Sequence, residues 1–224
     1  MASRTRRVER RQEPLSRERI VGAAVELLDS VGEGGLTFRA LAERLATGPG
    51  AIYWHVANRA ELLAAATEAV VAPAIALDAA DSTPREAIHT LALGLFDAID
   101  VHPWVGKQLA RTSWQPPMLH VFERIGRQVQ ALGVPAAAQF TAASALMHYV
   151  LGVAGQNAVN VESVEPGTDR AVFLDAVATT WAGLDPEQYP FTRDVAGQLS
   201  GHDDRAEFLG GIDLILAGIA ALRP

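Results

Sequence analysis

Ile20, Ala24, Leu27, Leu28 and Val31 recur at the i, i+4, i+7, i+8, i+11 spacing of one buried helical stripe. Ser16 stands ahead of that stripe as an N-cap, with Leu15 and Ile20 in the two positions of a hydrophobic staple. A first helix is therefore predicted over Arg17 to Val31, ended by Gly32, Gly34 and Gly35. Thr37 repeats the device, with Leu36 and Leu41 as the staple and Phe38, Leu41 and Leu45 as the apolar face of a short second helix. Gly48 caps a third element over Pro49 to His55, in which Pro49 presets the first helical φ and Ile52 and Val56 supply the core contacts. Asn58 with Glu61 forms a capping box opening a fourth helix through about Ala80. Further helices are expected near Pro84 to Asp100, Pro103 to Arg111, Pro116 to Leu132, Pro135 to Val159, Thr168 to Ala182 and Asp204 to Leu222. Gly183 to Gly201, carrying Pro186 and Pro190, reads as an irregular loop. Strand patterns are scarce, so the fold class is all-α.

Two short helices joined by a tight turn and braced by an amphipathic helix form a helix-turn-helix. In that layout the second helix enters the major groove, and side chains not needed for packing do the reading. With Ile52 and Val56 turned inward, Tyr53, Trp54 and His55 are left for other surroundings. A tight corner whose aromatics only pack is the structural alternative.

Charge sharpens this picture. The chain of 224 residues has a net charge of −7, yet residues 1–59 carry +3 and residues 60–224 carry −10. The basic groups crowd into Arg4 to Arg19, which suits one end meeting a polyanion. The arm Arg4 to Arg11 reads either as an extension reaching phosphates or a minor groove, or as a solvated tail. There are no cysteines, which excludes disulfides, thiolate metal sites and cysteine nucleophiles and suits a reducing compartment. The arginine-rich start has no apolar run behind it, so no secretory signal is expected and the cytoplasm is the expected location.

The ordered set Gly35-Leu36-Thr37-Phe38-Arg39, Leu41-Ala42-Glu43-Arg44-Leu45, Ile52-Tyr53-Trp54-His55-Val56, Asn58-Arg59 and Leu62-Leu63 resembles the DNA-binding domain of the TetR family of bacterial repressors. It is most similar to the tetracycline-repressor branch. A weaker similarity lies in Phe208 to Gly218, which resembles the last helix of that branch's regulatory domain. The resemblance implies a flexible basic arm over 1–14, a helix-turn-helix domain of three helices over 15–62 and a larger helical ligand-binding and dimerisation domain over 63–224. It implies phosphate contacts from Thr37 and Arg59, base contact from Arg39, further base-edge or phosphate contacts from Tyr53 and His55, and packing of Trp54 on the sugar-phosphate backbone. Pro49, Gly50 and Ala51 form the head of the recognition helix, where relatives often carry glutamine or arginine. Apolar contact of Pro49 or Ala51 with a thymine methyl is then the expected contribution. Ala46 stands in the turn where relatives commonly have glycine, which predicts a tighter turn or one shifted by a residue.

From Arg127 to Glu162 no charged residue intervenes, but Gln139, His148, Gln156, Asn157 and Asn160 argue against a membrane span. In the last predicted helix Phe208, Ile212, Ile215, Leu216 and Ile219 form one stripe, while Gly210, Gly211 and Gly218 each cost about 1 kcal/mol against alanine. Close helix approach compensates such a cost. The resemblance implies a homodimer through the helices near 135–159 and 204–222, binding palindromic operator DNA. It also implies a cavity for a small-molecule effector, with His102, Trp104, Trp114, Met118, Phe122, His148 and Asn157 as its expected lining. No cofactor or metal is expected.

An enzyme is the competing class. Its best pieces are His202-Asp203-Asp204, which lacks a partner at metal spacing, and Gly106-Lys107, which lacks the rest of a phosphate loop. A module that only dimerises would leave Arg39, Tyr53 and His55 without a task.

Overall fold

The computed structural model describes residues 14–76, 82–111, 116–163 and 169–222. Among them there are only helices: α1 (Arg17–Gly35), α2 (Phe38–Arg44), α3 (Pro49–Tyr53), α4 (Arg59–Ala76), α5 (Pro84–Val101), α6 (Pro103–Arg111), α7 (Pro116–Ala131), α8 (Ala136–Ser163), α9 (Arg170–Ala182), α10 (Pro190–Val195), a 3-10 segment (Ala196–Gly201) and α11 (Asp204–Ala220). The basic arm lies outside the described residues, as does Trp114.

The chain divides into two compact units, Met1–Ala66 and Thr67–Pro224, and the division falls within α4. In the first unit the Ser16 hydroxyl accepts from the Arg19 N–H at 3.2 Å and opens α1. Ile20, Ala24, Leu27 and Leu28 are buried, whereas Val31 at the end of the expected stripe is 56% exposed. The helix is interrupted at Gly32, whose φ of 67° lies in the left-handed region that glycine enters without a Cβ penalty. Leu36, Leu41, Ile52, Val56 and Leu62 complete a small core.

The second unit is built on α8, against which α5, α6, α7 and α11 pack. A genuine capping box opens α5, with Thr83 and Glu86 satisfying each other's backbone N–H. Ala136–Val159 is long and apolar enough to cross a bilayer by length and composition. Its buried positions are the stripe Ala142, Ala143, Leu146, Val150, Ala154 and Ala158, and most of the helix surface stays uncovered within this chain. Phe208, Ile212, Leu216 and Ile219 of α11 are buried, as their spacing predicts. Phe208 stacks with Tyr149 of α8 at 5.7 Å and meets Phe96 of α5 at 4.8 Å.

Three local expectations are corrected. Gly183 to Gly201 is not an irregular loop: Pro190, at the first turn of α10, starts a helix there because its missing N–H is unneeded and its φ is preset. Asn58 and Glu61 form half a capping box. The Asn58 side chain accepts from the Glu61 N–H, but the Glu61 carboxylate reaches past Asn58 to the Ala57 N–H at 2.9 Å. The close approach expected of the α11 glycines is partly made within the chain. A Cβ on Gly211 would lie 1.9 Å from the Tyr149 hydroxyl, while Gly210 and Gly218 meet nothing within 4 Å.

Candidate nucleic-acid interface

The turn between α2 and α3 is closed by two backbone bonds. The Ala46 N–H donates to the Glu43 carbonyl at 3.2 Å, and the Thr47 N–H donates to the Ala42 carbonyl at 2.9 Å. This 5→2 and 6→1 pair is the Schellman motif, which requires a left-handed residue at its centre. Ala46 takes that place with φ 52°. The turn thus keeps its ordinary length, and alanine bears the strain that glycine would not.

Pro49 then begins α3 without a side-chain cap. Ile52 and Val56 are 0% and 1% exposed, and anchoring that face leaves Tyr53 54% and Trp54 90% exposed. Pro49 and Gly50 are also exposed, while Ala51 and His55 are half-buried. On α2 the Arg39 side chain stands out in solvent, paired at 3.1 Å with the also exposed Glu43 one turn on. Such surface pairs contribute little, so the guanidinium can exchange Glu43 for a nucleic acid at small cost. Thr37 is exposed, and its hydroxyl oxygen accepts from the Ala40 N–H at 3.1 Å, leaving the hydroxyl proton for another acceptor.

Two side chains outside the expected set shape this surface. Phe38 stacks face to face with Tyr53, centroids 4.3 Å apart and planes 2° from parallel. Arg17, at the start of α1, donates from Nη1 to both the His55 carbonyl and the Glu61 carboxylate, each at 2.9 Å. Glu61 in turn accepts from Ala57, so one bracket ties the first helix to the chain leaving α3. The Ala57 N–H, and then Arg17, hold the Glu61 carboxyl below the usual carboxylate range. Helical spacing carries no signal for contacts 38 and 44 positions apart in sequence.

Arg59 has a structural task besides the phosphate contact expected of it. Its Nε donates to the Leu36 carbonyl at 3.2 Å and its Nη2 to the Glu33 carbonyl at 2.5 Å. It therefore caps the carbonyl end of α1, where no basic residue lies in the last turn.

The expected effector residues are less gathered. Trp104 and Met118 are buried, Trp104 lies edge-on to His102 at 6.2 Å, and Phe122 meets the exposed Phe140 at 5.9 Å. His148 is exposed on α8. Asn157 donates to Asp100 at 3.2 Å and lines an open cavity of about 430 Å³ with Phe96, Asp97, Arg170 and His202. Asp203, from the motif weighed as catalytic, caps α11 by accepting from the Arg205 and Ala206 N–H groups, which hold its carboxyl low. Lys107 is exposed on α6. Among the described residues no cluster of three or more His, Asp or Glu could hold a metal.

Residues 20–66 match the family described as "Bacterial regulatory proteins, tetR family", and residues 78–223 match "Tetracyclin repressor-like, C-terminal domain". The chain is 30% identical over 210 residues to an HTH-type transcriptional regulator of Saccharopolyspora erythraea, spanning 92% of this chain and 85% of that protein. Its fold is similar to that of SCO7222, a TetR regulator from Streptomyces coelicolor, with TM-score 0.86 and 62% identity over 94% of this chain and 100% of that one. BioQ, solved with its double-stranded DNA operator, is 28% identical with TM-score 0.60 over 93% of this chain and 99% of its own. ActR of Streptomyces coelicolor, solved with actinorhodin, is 25% identical with TM-score 0.73 over 93% and 98%.

Proposed function

Because the chain belongs to the TetR family of bacterial regulatory proteins and is a transcriptional regulator, we propose that it binds a palindromic operator as a homodimer, represses from it, and is released by a small molecule. The observation that carries the reading is the outward placement of Arg39, Tyr53 and Trp54 on adjoining short helices whose other faces are locked in a core. Arg39 reads guanine, Tyr53 and His55 add base-edge or phosphate contacts, and Trp54 lies on the backbone. Thr37 and the α2 N-terminus hold one phosphate, Arg59 another, and Pro49, Gly50 and Ala51 meet apolar groove surface. BioQ, a relative of the same fold, was solved on its operator, which supports this use of the surface. Operator DNA implies a cytoplasmic protein.

Dimerisation draws on the face of α8 turned away from its own chain. Thr141, Ala145, His148, Gly152, Gln156 and Val159 are exposed at spacings of four and three, an uncharged stripe suited to another helix. On α11, Gly210, Leu214, Ala217 and Gly218 are exposed along one side, with Leu214 at 77%. Two helix-turn-helix units set about 34–36 Å apart then match half-sites one DNA turn apart. Ligand release acts by biasing one of two dimer shapes. Asn157 and the cavity beside it, whose volume of about 430 Å³ falls within the range of ligand pockets, are the favoured effector position in the larger unit. Of the residues expected around an effector, Asn157 lines this cavity; His102, Trp104, Met118, Phe122 and His148 are not among its lining residues, and Trp114 lies outside the described residues.

A gel shift with DNA flanking the chain's own gene, at low salt, tests the proposal. A retarded band of dimer stoichiometry that an effector abolishes is expected. Failure to shift any palindromic flanking site would sink it.

A further inference from the structure

We infer that Phe38 is a positioning residue of the reading surface: it holds the ring of Tyr53 in a fixed orientation and touches the DNA only through Tyr53. The inference rests on the DNA-binding reading above and adds a residue that neither charge nor hydrogen-bonding capacity would single out.

Tyr53 is the last residue of α3, a helix of five residues. A helix that short has little stability of its own and is held by packing, which Ile52 and Val56 provide on the opposite side. Tyr53 lies outside that core, and its hydroxyl has no hydrogen-bond partner among the described residues. A half-exposed tyrosine in that setting would exchange rotamers freely, and ordering it on DNA would cost part of the contact's free energy. Phe38 removes that freedom. Its ring, half-buried at the first position of α2, covers one face of Tyr53 at 4.3 Å with planes 2° apart. Planes so nearly parallel at this centroid distance put the two rings in direct stacking contact. With the stack in place Tyr53 is still 54% exposed. The stack also joins the first turn of α2, between Thr37 and Arg39, to the last turn of α3, so the two contributors to the surface are fixed to each other.

A double-mutant cycle in the full-length protein tests this. Binding is measured by fluorescence anisotropy on a flanking duplex that the wild type shifts, with a scrambled duplex as control. Phe38→Ala is expected to weaken binding to the specific duplex about three- to tenfold, the range that ordering one side chain on binding supports. The same change made in a Tyr53→Ala background should cost less than about twofold, because the residue through which Phe38 acts is gone. Phe38→Leu, which keeps apolar volume without a ring, should behave as Phe38→Ala, and Phe38→Tyr should restore binding. Affinity for the scrambled duplex and the salt slope should stay unchanged. Additive losses in the cycle would mean that Phe38 meets the DNA itself and would overturn the inference. Equal losses on both duplexes together with a lowered melting temperature, in Phe38→Leu as well as Phe38→Ala, would reduce Phe38 to a core residue and also overturn it. A wild type that shifts no duplex would remove the DNA-binding reading and this inference with it.

Discussion

Ala46 provides the sharpest test of the turn that sets α3 against α2. Its φ of 52° costs an L-residue about 1–2 kcal/mol, a cost glycine escapes. Ala46→Gly also gives the unfolded chain more freedom, an opposing effect of about 0.4–1 kcal/mol. The site is exposed, so no packing is lost, and both bonds of the turn use main-chain atoms that the change leaves alone. The net expectation is a gain of about 0.5–1 kcal/mol in the helix-turn-helix unit, or roughly 2–8 °C in its melting transition at this unit size. Hydrogen exchange in the full-length protein is the suitable assay, because it reads the first unit separately from the second. Slower exchange is expected at the Thr47 and Val56 amides, both hydrogen-bonded across this turn and helix. Ala46→Val is the counterpart: a β-branched side chain fits the left-handed region poorly and should destabilise by about 1–3 kcal/mol. Faster exchange in Ala46→Gly, or no change in either variant, would show that the turn is not closed through a left-handed Ala46.

Arg39→Ala should relax base preference and leave stability intact, whereas Arg59→Ala should weaken all sequences alike, flatten the salt dependence of Kd and lower the melting temperature through the lost carbonyl contacts at the end of α1. Parallel anisotropy and melting of both variants separates these effects. Gly211→Ala should destabilise the second unit by about 1–3 kcal/mol, since the new methyl collides with the Tyr149 hydroxyl, while Gly210→Ala should leave the subunit's packing alone, gain about 1 kcal/mol of helix propensity, and change the dissociation constant of the proposed dimer, read by sedimentation. The Glu61 carboxyl titrates below its ordinary value of 4.5 because Ala57 and Arg17 favour the ionised form. Its contribution is therefore complete above that value and lost as pH falls through the lower, folded-state value. Glu61→Gln should accordingly weaken the helix-turn-helix unit at neutral pH and make its acid unfolding less steep; an unchanged acid limb would contradict the bracket.

Local sequence determined much of the first unit. Ser16 and Thr37 cap helices because a short hydroxyl side chain reaches an N–H three residues on, and a spacing of four buries Ile52 with Val56 and so turns Tyr53 and Trp54 outward. The family resemblance rests instead on the identities of the ordered residue set from Gly35 to Leu63. The short-range rules also fixed α11, whose stripe is continuous enough to need no partner to identify it. They failed where a residue has more than one possible use. Pro190 reads as a breaker until its place at a first turn is known, and Asn58-Glu61 reads as a reciprocal box until Arg17, 44 residues away, draws the carboxylate aside.

Tertiary structure alone decided which partners distant side chains would take. Phe38 found Tyr53, Arg59 found the carbonyls of Glu33 and Leu36, and Gly211 made room for Tyr149, none of which is encoded in periodicity. The physical reason is range. Caps and stripes follow from backbone geometry within one or two turns, whereas a ring stack or an arginine bracket depends on where two helices come to rest, and that is set by the packing of every side chain between them.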